Sequence, residues 1–256
     1  MTRQRHIAAN FAISVVMTTY NGEKFLSHQI DSVLSQLDKA DEIVIIDDAS
    51  TDNTRKLISA YCSKQIHVVA NVNNLGVKAS FNRGLALAQH EIIFMCDQDD
   101  IWLPGKRDAF VAEFLNDSEC LIAISDAQVI DESGCVVCSS FMATRGGFRS
   151  DMLSNLIRNR YLGCSMAIHR RLLKWALPIP EFVPMHDMWL GALGTLSGTV
   201  RYLPQTFLQY RRHERNLSPL RHQSVQQMIR WRWNLLRAVI GRSLQEKLHR
   251  RQSIRA

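Results

Sequence analysis

Ile92-Ile-Phe-Met-Cys-Asp-Gln-Asp-Asp100 decides the fold: five consecutive apolar residues run straight into a cluster of carboxylates. A short run that is apolar at every position suits a strand buried on both faces, and the acids mark where the chain leaves the sheet. The same build recurs upstream. Ile13-Ser-Val-Val-Met-Thr18 leads into Thr-Tyr-Asn-Gly22, Ile43-Val-Ile-Ile46 leads into Asp47-Asp48, and Ile66-His-Val-Val-Ala70 supplies a further strand. Between these runs the apolar period changes to that of a helix. Phe25, Leu26, Ile30, Val33, Leu34 and Leu37 share one face between Lys24 and Leu37. Leu57, Ile58 and Tyr61 follow a cap formed from Ser50, Thr51 and Asp52, and Gly76 opens a helix through about Ala88. Strands alternating with helices predict an α/β domain with a mainly parallel sheet covered on both faces. Ligands of such sheets bind beyond the carboxyl ends of the strands. Thr18 to Gly22, Asp47-Asp48 and Asp97 to Asp100 are therefore expected to converge on one edge.

Past Pro104 the pattern loosens. A helix bearing Phe110, Val111 and Phe114 leads to a strand at Leu121 to Ile124, and Asp131-Glu-Ser-Gly134 has the composition of a hairpin turn. Residues 139–160 are polar, contain Gly146-Gly147 and read as a mobile loop before a helix near Met152 to Ile157. Tyr161 to His169 is expected to be a strand and Met188 to Leu196 a helix. Residues 197–220 read as a strand near Thr199 to Tyr202 followed by an irregular basic segment. Residues 221–256 hold nine Lys or Arg and one Glu. There Ile229, Trp233, Leu236, Val239 and Ile240 make an apolar stripe among arginines, the pattern of a basic amphipathic helix.

A chain of 256 residues accommodates one large domain, expected over residues 1–220 with the helical segment 221–256 appended. The nucleotide half would span about 12–105 and the second half about 106–220. At 46% hydrophobic and 21% charged, with only 12 Gly and 6 Pro, the composition excludes collagen-like, low-complexity and largely disordered chains. The net charge of +7 suits an anionic partner without choosing among nucleotides, nucleic acid and a membrane surface. Six cysteines form no convincing metal or disulfide framework. Cys135-Val-Val-Cys138 lacks a second pair, so reduced thiols and a cytoplasmic location are expected. No run of about 20 apolar residues predicts a membrane-spanning helix.

Several residues carry chemistry. Asp97 and Asp99 point the same way if the backbone stays extended, and paired carboxylates attract a divalent metal; capping of the following turn by Asp100 is the competing explanation. Asp47 and Asp48 can accept hydrogen bonds from a nucleobase or ribose, or cap a helix. Asp187, in His186-Asp187, can serve as a general base or as a helix N-cap. Arg211, Arg212, His213 and Arg215 suit phosphate oxygens or a solvated surface.

Together these segments resemble the family 2 glycosyltransferases. The resemblance rests on Val16-Met-Thr-Thr-Tyr-Asn-Gly22, Ile46-Asp-Asp-Ala-Ser-Thr-Asp-Asn-Thr54, Asn73-Asn-Leu-Gly76, Asn82-Arg-Gly84, Asp97-Gln-Asp-Asp100, Gly163-Cys164 and His186-Asp187. It implies a GT-A fold and transfer of a sugar from a nucleotide donor with inversion at the anomeric carbon. It also implies roles: Asp48, Thr19 and Tyr20 around the nucleotide, Asp99 with Asp97 on a Mn²⁺ or Mg²⁺ ion, and Asp187 as catalytic base. Arg211 and His213 are expected at the pyrophosphate, and His213 also at the metal. Where many relatives carry Glu-Asp, this chain has His186-Asp187, which looks more like the bacterial branch that builds lipopolysaccharide O-antigen or capsule, rhamnosyltransferases included. The implied donor is dTDP-rhamnose or a UDP-hexose. The implied acceptor is a glycan on polyprenyl diphosphate at the cytoplasmic face of the inner membrane, with the C-terminal helix touching that membrane or a second copy. Nucleotidyl transfer and non-enzymatic nucleic-acid binding are the alternatives. Against them stand the missing Gly-rich triphosphate loop and the acids at the strand ends.

Overall fold

The computed structural model describes residues 11–214, 216 and 224–253. The sheet opens with β1 (Ile13–Thr19), β2 (Glu42–Asp47), β3 (Ile66–Ala70) and β4 (Ile92–Asp97), joined by helices α1 (Leu26–Leu34), α2 (Thr54–Ser59) and α3 (Val77–Leu87). These four strands are parallel in the order β3-β2-β1-β4. Their alternation feeds two cores. Val16, Val44, Ile46, Ile93 and Met95 face one side of the sheet. Val15, Met17, Ile43, Ile45, Phe94 and Cys96 face the other. Each Ile or Phe removed from water in this way contributes roughly 1.5–3 kcal/mol. A helix must lie close for such a seal, and Gly84 of α3 permits it: a Cβ there would sit 2.4 Å from Val16 Cγ1.

The rest of the chain extends the same sheet. Short β5 (Ile101–Trp102) and helix α4 (Lys106–Asn116) precede β6 (Cys120–Ile130), β7 (Val136–Cys138), α5 (Phe141–Thr144) and α6 (Met152–Ile157). Then come β8 (Met166–His169), α7 (Leu173–Ala176), α8 (His186–Ser197), β9 (Thr199–Arg211) and α9 (Val225–Ser253). β8 runs antiparallel to both β4 and β6, which makes the nine-stranded sheet mixed. α9 lies on α8, adding Leu235, Ala238 and Val239 to the core that holds Trp189 and Leu193.

Three expectations change. Only Met166–His169 of the expected 161–169 strand is extended, because Gly163–Ser165 form a 3-10 turn. The strand expected near Thr199 to Tyr202 continues to Arg211, so most of the irregular basic segment is β structure paired with β6 and β5. Helix α2 begins at Thr54, and Asp52 serves it by accepting the Thr54 N–H at 3.0 Å. Arg215 and residues 217–223, where the domain boundary was expected, lie outside the described residues.

Candidate active site

The three polar clusters do meet on one edge. In register, Thr19 lies beside Asp47 across β1 and β2, while Thr18 lies beside Asp97 across β1 and β4. Gln98 ties the edge together: its Oε1 accepts from Thr19 Oγ1 at 2.7 Å and from the Tyr20 N–H at 2.9 Å. Tyr20 keeps its ring half exposed, as a residue lining a ligand cleft would. Asp48 is buried, and its carboxylate accepts from Asn71 Nδ2 and from the Leu75 and Gly76 N–H groups. It therefore shapes the Asn73-Asn-Leu-Gly76 turn, in which Gly76 takes φ +85°.

The acids after β4 divide their tasks. Asp99 Oδ2 lies 2.8 Å from His213 Nε2 and 3.2 Å from Asn216 Nδ2. His213 in turn stacks on Phe25 with ring centroids 5.1 Å apart. Asp100 is fully buried and accepts the Arg211 N–H at 2.9 Å. Asp97, Asp100 and Cys164 bring ligand atoms within 4.8 Å of one another. Burial, then the neighbouring Asp99 and Asp187 charges, push Asp97 up to about 7. Beneath them lies Lys106, fully buried, its Nζ 2.8 Å from the Cys164 carbonyl and over the Trp102 ring. Burial lowers this ammonium to about 8 despite the adjacent acids. Hard carboxylate oxygens held against mutual repulsion fit a Mg²⁺ or Mn²⁺ ion. The buried Cys164 thiol, pushed well up by desolvation, stays protonated and serves as wall rather than ligand.

Two of the expected groups have particular surroundings. Asp97 gathers with Asp100 and Cys164, while His213 lies against Asp99, Asn216 and Phe25. Arg211 is turned inward. It is 5% exposed, and its guanidinium donates to the carbonyls of Asp99, Asp131 and Glu132, so it braces the acidic loop.

Asp187 lies close enough to the acids for its charge to raise Asp97. It lies in the first turn of α8 without capping it, and its Oδ1 accepts the Met188 N–H at 2.6 Å. Burial raises it to about 6, against hydrogen bonds from Met188, Asn159 and Gly163 that pull it down. His186 beside it is buried, its ring tilted 32° against Phe81 with centroids 4.2 Å apart, and neither ring nitrogen is hydrogen-bonded. Burial and then Lys78 lower it to about 3, so a neutral imidazole flanks the carboxyl. Gly163 makes this packing feasible: a Cβ there would meet His186 Nε2 at 2.8 Å. Sequence reasoning passed over Gln98, Lys106, Asn159 and Asn216. Gln98, inside Asp97-Gln-Asp-Asp100, carried a signal; a lysine two residues past Pro104 carries none for burial.

Comparison with known proteins agrees with this architecture. The family model described as glycosyl transferase family 2 matches residues 14–179, and the chain belongs to that family. It is 28% identical over 207 residues to an uncharacterised protein of Mycobacterium tuberculosis, covering 78% of this chain and 59% of that one. It is 27% identical over 186 residues to WfgD of Escherichia coli, a UDP-Glc:α-D-GlcNAc-diphosphoundecaprenol β-1,3-glucosyltransferase, covering 72% of this chain and 70% of WfgD. Among solved structures, S. aureus TarS residues 1–349 in complex with UDP-GlcNAc superpose with a TM-score of 0.71 at 19% identity. That match covers 91% of this chain and 66% of the other. The fold is thus the GT-A-like mixed sheet that the resemblance implies.

Proposed function

We propose that this chain is an inverting glycosyltransferase that moves a sugar from a UDP or dTDP donor to a glycan acceptor carried on polyprenyl diphosphate. The observation that carries this is the gathering of acid groups: Asp97 and Asp99 at the strand edge, and buried Asp187 within electrostatic reach of Asp97. WfgD, by its name, uses such a donor and such an acceptor, and TarS was solved with UDP-GlcNAc. Thr19, Tyr20 and the Asp48-ordered turn frame the nucleotide. Asp97 and Asp99, the latter steadied by His213, would hold a Mn²⁺ or Mg²⁺ ion, which when bound would supply charge neutralisation for the departing nucleoside diphosphate. Asp187, ionised above about pH 6, takes the proton from the acceptor hydroxyl. The freed oxygen attacks the anomeric carbon on the face opposite the diphosphate, which leaves with the electrons of the broken C–O bond. No sugar–enzyme bond forms. Rhamnose or a hexose is the transferred sugar.

We place the enzyme at the cytoplasmic membrane face, because α9 carries a second apolar face. Val225, Ile229, Trp233, Ile240 and Leu244 are all exposed, on the side away from Leu235 and Val239. Arg230, Arg232, Arg237 and Arg242 interleave with them, and no acid occurs from Val225 to Gln245. Such a helix suits the interface of an anionic bilayer and repels a second copy of itself. Among the described residues no helix is long and apolar enough to cross a membrane.

The test is product analysis. Transfer from dTDP-rhamnose or a UDP-hexose to a polyprenyl-diphosphate-linked sugar must yield an anomer opposite to the donor's, read by NMR coupling constants. A retained anomer, or cleavage of a nucleoside triphosphate with release of pyrophosphate, would overturn the assignment.

A further inference from the structure

His186 is a buried side chain that the transfer chemistry leaves unused. It is 4% exposed, and neither of its ring nitrogens has a hydrogen-bond partner. Buried nitrogens left unpaired destabilise a fold, so a ring kept in such a place answers to something besides stability. Its surroundings are tight on two sides. Phe81 of α3 lies against the ring with centroids 4.2 Å apart, and at Gly163 a Cβ would fall 2.8 Å from His186 Nε2 and 3.6 Å from the Asp187 Cβ. Phe81 does not act alone. Lys78 precedes Phe81 by three residues and Asn82 by four, which puts all three on one face of α3. Lys78 Nζ donates to the Glu181 and Val183 carbonyls, and Asn82 Oδ1 accepts the Ile179 N–H at 2.9 Å. α3 thereby holds the approach to α8 from Ile179 to His186. The same helix starts after Gly76, whose N–H donates to the Asp48 carboxylate at 2.8 Å. Beyond its first turn α8 has other anchors: Trp189 Nε1 donates to the Ala176 carbonyl at 2.9 Å, and Gly191 packs against the Tyr161 ring.

We infer that His186 is a positioning residue: clasped between Phe81 and Gly163, its ring sets the first turn of α8 and with it the placement of Asp187. The inference rests on the role proposed above for Asp187 as base, and deepens it. The base is referenced to α3, the helix that the Asp48-ordered turn begins, so nucleotide turn and base are set by one element. A ring suits this task better than a flexible chain of similar size. It offers Phe81 a flat face and has few torsions to fix, whereas methionine would shed the unpaired nitrogens but rotate about three bonds. A base displaced by a fraction of an ångström leaves substrate binding intact and loses the alignment on which proton transfer depends.

The test compares the full chain with F81L, H186M and G163A. The first two open the clasp from either side without adding a polar group, and the third drives a methyl into it. Turnover with Mn²⁺, calorimetric affinity for UDP and dTDP with Mn²⁺, and hydrogen exchange read by mass spectrometry are measured on each protein, with thermal melting to confirm folding. The expected result is a kcat lowered by about 10–10²-fold in all three variants. Donor KM and nucleotide affinity stay within about twofold of the wild type. H186M melts no lower than the wild type because it sheds the unpaired nitrogens, so its slower turnover is not a folding defect. Exchange across the first turn of α8 quickens by about tenfold in F81L and H186M, with β1, β2 and β4 unchanged. Wild-type kcat in H186M, nucleotide affinity falling in step with kcat, or exchange that quickens throughout the chain would overturn the inference. A wild type that transfers no sugar counts against the function proposed above; the exchange pattern then still decides whether the ring holds the turn, and wild-type exchange in F81L and H186M would show that it does not.

Discussion

In the proposed function Asp187 is the base, and its environment sets a pH signature. Burial favours its protonated form, so the carboxyl titrates near 6 in the folded protein against 3.8 as the reference. Between about pH 4 and pH 6 the folded state binds more protons than the unfolded chain, and stability falls as pH rises through that window. The same proton must be lost before Asp187 can act as a base. The rate of transfer is therefore predicted to rise with pH through about 6 and then level. Asp187→Asn should abolish this limb and lower kcat by about 10²–10⁴-fold. It should also raise the melting temperature at pH 7, a gain that vanishes below about pH 4. Rate profiles and thermal melts on the two proteins check both signs.

At the scale of elements, β9 does more than pair with β6. Its last residue, Arg211, carries the brace under the acidic loop, donating to the Asp99, Asp131 and Glu132 carbonyls. Arg211→Met leaves those carbonyls short of a donor in a buried place. The expected loss is about 2–4 kcal/mol of unfolding free energy, measured in urea, together with weaker Mn²⁺ binding as Asp99 loses its support. β9 also shows where sequence patterning stops informing. β1, β2 and β4 were legible because both faces are buried and each holds a run of consecutive apolar residues. In β9, Arg201, Pro204, Gln205 and Gln209 interrupt the run, and only Leu203, Leu208, Tyr210 and Arg211 are buried. Its length comes from pairing with β6 through register shifts, which no local spacing encodes. The candidate site divides in the same way. The acids at strand ends follow from topology, whereas Lys106 is recognised only once α4 has folded beneath them.

In the proposed function Asp99 marks the donor side of the site and Asp187 the acceptor side, and the molecule adds a basic helix with an exposed apolar face. Arg232 of α9 donates to the Ile157 carbonyl at the end of α6, next to Arg158 and Asn159, so the helix lies beside the acceptor side. Docking α9 on a bilayer would bring that side to the lipid surface. Sedimentation with vesicles containing about 30% anionic lipid should retain the wild type at low salt and release W233E/I240E. Equal binding of the two, or binding to neutral vesicles alone, would remove the membrane from the account.

The most direct test of the central claim is release of nucleoside diphosphate from UDP-, dTDP- and GDP-sugars with Mn²⁺ or Mg²⁺ and a lipid-linked acceptor, comparing the wild type with Asp99→Ala. The prediction is acceptor-dependent release from one donor, lost in the variant and in EDTA. Folded wild-type protein that neither turns over nor binds any of these nucleotides would contradict it.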